Sequence, residues 1–160
     1  MREAGSPQQI AEACGARLYE LDHAARAMGA TLDSIEPGRA CMSLTVRNDM
    51  VNSHGICHGG FIFSLADSAF AYSSNSRNRK TVAAGATIDY VSAARLGDRL
   101  AATAEERALP GRTGIYDVRV ADQQGDLIAY FRGRSYRVAG EILPEFTPRR
   151  QRKDVLGQGK

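Results

Sequence analysis

No run of apolar residues in this 160-residue chain approaches the roughly 20 needed to span a bilayer as a helix. The N-terminus opens on Arg2 and Glu3 and shows no apolar stretch of a secretory signal. Cysteine is scarce. Cys14, Cys41 and Cys57 are odd in number and follow no repeated spacing, which argues against a disulfide framework and for reduced thiols. Net charge is also scarce: the formal value of +3 gives no case for a nucleic-acid partner. No internal repeat or low-complexity segment is present. These absences lead to the expectation of a cytoplasmic protein with neither membrane nor nucleic acid as a partner.

What is present fits one domain over residues 1–160. At 43% hydrophobic and 24% charged, the chain can build a core without metals or disulfides. That core is expected over about 30–139. The last stretch, 141–160, gathers Arg149, Arg150, Arg152 and Lys153 among Pro144, Pro148, Gly157 and Gly159. Such a basic tail reads as a solvated end.

Hydrophobic spacing supplies the elements. Ser6, Pro7 and Gln9 form a capping signal, and Ile10, Cys14, Leu18, Leu21 and Ala25 recur at helical spacing, so one helix is expected over 7–28. Two short strands follow, near 30–36 and 39–47, with Met42, Leu44 and Val46 alternating with Cys41, Ser43 and Thr45. Residues 48–57 read as a loop. The stretch 59–76 is apolar nearly all round and reads as a helix buried on most sides. Strands are expected at 81–93, 98–108, 113–122 and 126–139. Tyr116, Val118 and Val120 share one face. The last strand sets Leu127, Ala129, Phe131, Gly133 and Ser135 against Ile128, Tyr130, Arg132, Arg134 and Tyr136. The order is an α+β one: a helix, a hairpin, a long central helix, then an antiparallel meander wrapping it.

The central helix carries the chemistry. Asp67 is its lone carboxylate, with Phe63 and Phe70 at helical neighbour spacing. An ionised carboxylate in apolar surroundings is costly unless paired, and burial raises its pKa. Both effects suit a base or nucleophile, although a structural ion pair or an interface leaves the same trace. Gly59 and Gly60 lie where the helix begins. Their N–H groups lack helical partners, the dipole favours negative charge there, and glycine admits a close approach. Together they can form an oxyanion hole, or simply a tight turn. Asn52, in the loop before, offers a donor and an acceptor. His54 and His58 have the spacing of a metal pair, but no third ligand matches, so no metal is expected. Cys57 is a weak candidate nucleophile, because adjacent residues such as Cys57 and His58 rarely aim at one another.

The segment Asn52-Ser53-His54-Gly55-Ile56-Cys57-His58-Gly59-Gly60, continued by Phe63-Ser64-Leu65-Ala66-Asp67-Ser68-Ala69-Phe70-Ala71-Tyr72, resembles the hotdog-fold acyl-CoA thioesterases. It is most similar to their phenylacetic-acid-degradation (PaaI-like) branch. Thr87-Ile88-Asp89-Tyr90-Val91, Gly114-Ile115-Tyr116-Asp117-Val118 and Phe131-Arg132-Gly133-Arg134-Ser135 extend the resemblance to roughly residues 10–140. It implies a hotdog fold, hydrolysis of an acyl-CoA such as phenylacetyl- or hydroxyphenylacetyl-CoA, and no cofactor beyond that substrate. It implies homodimers with shared active sites, paired into homotetramers. By the same resemblance Asp67 is nucleophile or general base, Gly59 donates to the oxyanion, and Asn52 positions the carbonyl or a water. His58, Gly60 and Phe63 line the substrate, and Arg95, Arg112, Arg132 and Arg134 are candidates for the coenzyme A phosphates, each also readable as a plain surface arginine. Some relatives place Ser or Thr one turn after the acid. Here that position is Ala71. A hydratase or dehydratase on the same fold, with His58 and Asp67 as its acid–base pair, and a non-catalytic acyl-CoA-binding module are the competing readings.

Overall fold

The computed structural model describes residues 5–146, so the basic cluster Arg149, Arg150, Arg152 and Lys153 lies outside the described residues. Helix α1 spans Pro7–Leu21. It starts on the expected capping box: Gln9 N donates to Ser6 Oγ at 3.2 Å, and Ser6 N donates to Gln9 Oε1 at 2.8 Å. The single helix expected over 7–28 is two. Asp22 leaves helical geometry and caps α2, His23–Ala27, by accepting from Ala25 N at 2.9 Å. The other carboxylate oxygen accepts from the buried Tyr72 hydroxyl at 3.1 Å, so a contact from far along the chain fixes the break.

Strands β1 (Thr31–Glu36) and β2 (Arg39–Thr45) form a hairpin. The central helix α3 spans Gly59–Asn75. Strands β3 (Thr81–Tyr90), β4 (Arg99–Ala108), β5 (Thr113–Ala121) and β6 (Leu127–Arg137) complete one antiparallel sheet in the order β1-β2-β4-β5-β6-β3. Strand β3 stops three residues short of expectation. The N–H groups of Val91 and Ser92 both turn to the Ile128 carbonyl, which bends the chain out of the ladder.

The sheet curls around α3. Ile62, Leu65, Ala66, Ala69, Phe70 and Tyr72 are buried against Met42, Leu44, Leu100, Val118 and Phe131. Each such side chain contributes about 1.5–3 kcal/mol by leaving water. Tyr116, Val118 and Val120 are buried together, as their spacing predicts. On β6, Ala129, Phe131, Gly133 and Ser135 face inward, while Tyr130, Arg132, Arg134 and Tyr136 face out. Ile128 departs from the alternation and is only 2% exposed, beside a slip in the β5–β6 register and under the turn at Val91. Ser43 also departs, because Arg99 Nη2 covers and hydrogen-bonds its hydroxyl at 2.9 Å.

Two features of this arrangement position the site. Helix α3 is not buried on most sides: Phe63, Ser64, Asp67, Ser68, Ala71 and Ser74 form a stripe that stays partly open. Strand β3 ends the sheet, and its Val82, Ala83, Ala84, Ala86 and Thr87 are all exposed.

Candidate active site

The loop before α3 is held as a unit. Cys57 N donates to the Ala94 carbonyl and His58 N to the Met50 carbonyl, both at 2.8 Å. Within it Asn52 closes a tight turn, its Oδ1 accepting from His54 N at 2.9 Å and Ile56 N at 3.4 Å. Its carbonyl oxygen is thus committed to the loop. Its Nδ2 has no partner among the described residues.

His58 is the N-cap of α3. Its Nδ1 accepts from Gly60 N at 2.9 Å, so Gly60 is not a free donor and His58 orders the loop. The Gly59 N–H, by contrast, has no partner among the described residues. A cavity of about 430 Å³ opens beside it, lined by Asn52, Ile56, Cys57, Gly59, Ile62, Tyr90 and residues 91–94. Tyr90 closes one wall and donates its hydroxyl to the Gly59 carbonyl at 2.9 Å. A Cβ on Gly59 would sit 2.9 Å from the Tyr90 ring, so the close approach requires glycine. The sequence reading overlooked Tyr90, although it lies in the Thr87–Val91 motif.

Asp67 is half-buried and makes no hydrogen bond or ion pair among the described residues. Burial pushes its pKa above the ordinary carboxylate value. It lies eight residues beyond Gly59 on the same helix, a rise of roughly 12 Å, and does not line the Gly59 cavity. Its expected neighbour Phe70 instead faces the core, with ring centroids 5.4 Å from Tyr116 and 5.9 Å from Phe131. Phe63 stays at the edge of the core, 5.3 Å from Phe131 in an edge-on contact. Burial also raises the Cys57 thiol, which makes it a poor nucleophile.

The arginine candidates do not converge: Arg132 is paired with Asp117 on the outer face of β6, and Arg95 and Arg112 are far apart in the fold. Arg95 is exposed in the turn after the Gly59 cavity wall, its backbone N bonded to Asp98 at 2.7 Å. Arg112 lies at the β4–β5 hairpin, in a different cleft. Among the described residues, no helix is long and apolar enough to cross a membrane.

An antiparallel sheet curled on a central helix is the hotdog architecture, and here that helix carries an unpaired carboxylate and starts on a free N–H. The thioesterase superfamily profile matches residues 54–129. The acyl-coenzyme A thioesterase PaaI of Escherichia coli (strain K12) is 44% identical over 128 residues, 80% of this chain and 91% of that protein. The structure of the E. coli PaaI protein from the phenylacetic acid degradation operon matches with a TM-score of 0.84, over 85% of this chain and 99% of that one. A mutant of the phenylacetic acid degradation protein PaaI from Thermus thermophilus is 39% identical, with a TM-score of 0.69 over 71% of this chain and 97% of that one. A Streptococcus mutans UA159 protein bound to acetyl CoA is 25% identical, with a TM-score of 0.67 over 70% and 90%. The chain belongs to the thioesterase superfamily. Within it, the chain is a member of the PaaI-like acyl-CoA thioesterases and an enzyme of the thioester hydrolase class.

Proposed function

We propose that the chain hydrolyses acyl-CoA thioesters, with a phenylacetyl or hydroxyphenylacetyl group as the acyl part, at a site made by two copies. One observation carries the two-copy reading. The free donor and the free carboxylate lie on one helix about 12 Å apart, too far to meet on one carbonyl. Strand β3, whose edge is unpaired in the lone chain, supplies the junction. A two-fold pairing of β3 with its copy brings the open stripe of one α3 toward the other, and with it Asp67 toward the second Gly59. The aryl-acetyl preference draws on the relatives named above and on the apolar cavity walls at Ile56, Ile62, Val91 and Ala94.

In this site the thioester carbonyl accepts from the Gly59 N–H, whose helix dipole favours the developing negative charge. Asn52 Nδ2 donates to the carbonyl or to a water. Asp67 of the second copy takes a proton from a water that attacks the carbonyl carbon, or attacks that carbon itself to give a mixed anhydride, which water then hydrolyses to the free acid. On either route the carbon–sulfur bond breaks, and the coenzyme A thiolate leaves and picks up a proton. No metal enters the scheme, and coenzyme A is part of the substrate. His58 has its Nδ1 engaged at Gly60, which leaves only Nε2 for the acid–base role a hydratase would give it.

A thiol-release assay over phenylacetyl, hydroxyphenylacetyl, benzoyl and fatty acyl thioesters tests the proposal. Turnover is expected, highest with the aryl-acetyl group. Saturable binding of every thioester without free thiol would contradict it.

A further inference from the structure

Strand β1 ends the sheet on the side away from β3, and among the described residues no strand pairs with its outer edge. A free edge invites pairing with another chain unless something covers it. Helix α1 covers part of this one. A Cβ on Gly15 would lie 2.9 Å from Leu32, so the helix comes close to β1 there. Gln8 Nε2 also donates to the Ile35 carbonyl at 2.9 Å. Beside these contacts a groove of about 710 Å³ stays open between α1 and β1. Tyr19, Leu32 and Ile35 give it apolar walls, and Glu12, Asp33 and Glu36 give it three carboxylates. No lysine or arginine lines it among the described residues. Its acids are only loosely engaged: Asp33 lies 3.5 Å from Arg99, Glu36 lies 3.6 Å from Arg39, and Glu12 accepts from Gln8 at 2.9 Å.

The chain carries a segment whose chemistry matches. Beyond the described residues it reads Arg149-Arg150-Gln151-Arg152-Lys153-Asp154-Val155-Leu156, four cations and then an apolar pair after one acid. The point from which this segment departs is fixed. Asn78 holds Leu143 from both sides, its Oδ1 accepting from Leu143 N at 2.7 Å and its Nδ2 donating to the Leu143 carbonyl at 3.1 Å. Pro144 then shares a cleft with Ile10 of α1. Helical spacing puts Ile10 on the flank of α1 opposite Gln8, Glu12 and Tyr19, which face the groove. A helix is about 10–12 Å across. The seven residues from Phe146 to Lys153 can span roughly 23 Å when extended, enough to round α1 and bring the cations to the groove of their own chain.

We propose that the basic segment 149–153 docks in the groove between α1 and β1 of its own chain and covers the free edge of β1. The proposal is independent of the thioester site. Its first test is zero-length carbodiimide cross-linking of the full chain, mapped by mass spectrometry. The chain has three lysines, Lys80, Lys153 and Lys160, so the links are few and assignable. Lys153 is expected to join Glu12, Asp33 or Glu36, and a mixture of light and nitrogen-15-labelled chains is expected to give these links within single chains. Links from Lys153 confined to Glu141 and Glu145, near its own point of departure, overturn the proposal. Links to the groove that form only between chains also overturn it, and assign the groove to a second copy. The second test is limited trypsin cleavage after Arg149, Arg150 and Arg152. A Glu12→Gln/Glu36→Gln variant, with an unchanged melting temperature, is expected to be cut there about threefold to tenfold faster than the unaltered chain. That difference is expected to vanish at 1 M salt, where screening reduces the reach of a charge to about 3 Å. Equal cleavage rates in the two chains at low salt overturn the proposal.

Discussion

Asp67 is charged where folding has no use for a charge, and its energetics set the first prediction. Burial raises its folded-state pKa above the ordinary value of 3.8. The fold therefore favours the protonated form, and ionisation above that pKa costs stability. Asp67→Asn is expected to fold and associate normally, with a melting temperature at neutral pH no lower than that of the unaltered chain. Turnover is expected to fall by about 10²–10⁴-fold. The unaltered enzyme should gain kcat/KM as pH rises through the pKa of Asp67, and the Asn variant should lack that acid limb. Tyr90 gives a second prediction. Its hydroxyl holds the Gly59 carbonyl and so ties down the backbone of the residue whose N–H is free. Tyr90→Phe is expected to leave the melting temperature nearly unchanged and lower kcat by up to about tenfold, the worth of one hydrogen bond. Asp67, Gly59 and Asn52 stand out in the sequence as candidates because each is out of place: a carboxyl in an apolar run, a glycine at a helix start, an amide in the loop before it. Tyr90 does not, since its partner lies thirty-one residues away. Gly60 was misread as a free donor, because whether His58 caps it depends on a ring orientation that spacing does not encode.

At the scale of elements, α3 and β6 are fitted to each other through a missing side chain. A Cβ on Gly133 would lie 2.9 Å from the Phe70 ring, which is itself packed on Tyr116 and Phe131. Gly133→Ala is expected to destabilise the fold by about 1–3 kcal/mol in denaturant unfolding, through overpacking. A variant as stable as the original would mean that Phe70 can shift freely. The strands were legible because their period of two survives in β5 and β6. The break between α1 and α2 was not. It depends on Asp22 accepting from Tyr72, fifty residues away, while the local spacing runs on unbroken. The open stripe on α3 was hidden for a related reason. Ser64, Ser68, Ala71 and Ser74 are small enough to suit a core or a close helix contact equally well.

At the scale of the molecule, the described residues present an unpaired sheet edge, a partly open helix stripe, and a free carboxylate and a free N–H about 12 Å apart on one helix, which the proposed site joins across two copies. A lysine on the exposed edge, Ala86→Lys, is expected to give a folded monomer without turnover, read by light scattering and thiol release. The most direct measurement is complementation between two inactive variants. Asp67→Asn removes the carboxylate, and Gly59→Ala drives a methyl group into the Tyr90 ring at the oxyanion site. If each active site takes Gly59 from one copy and Asp67 from the other, a co-assembled one-to-one mixture contains one intact site in every mixed dimer. Such a mixture is expected to recover about a quarter of the unaltered activity, although neither variant works alone. A mixture no more active than the sum of its separate variants would contradict the shared site.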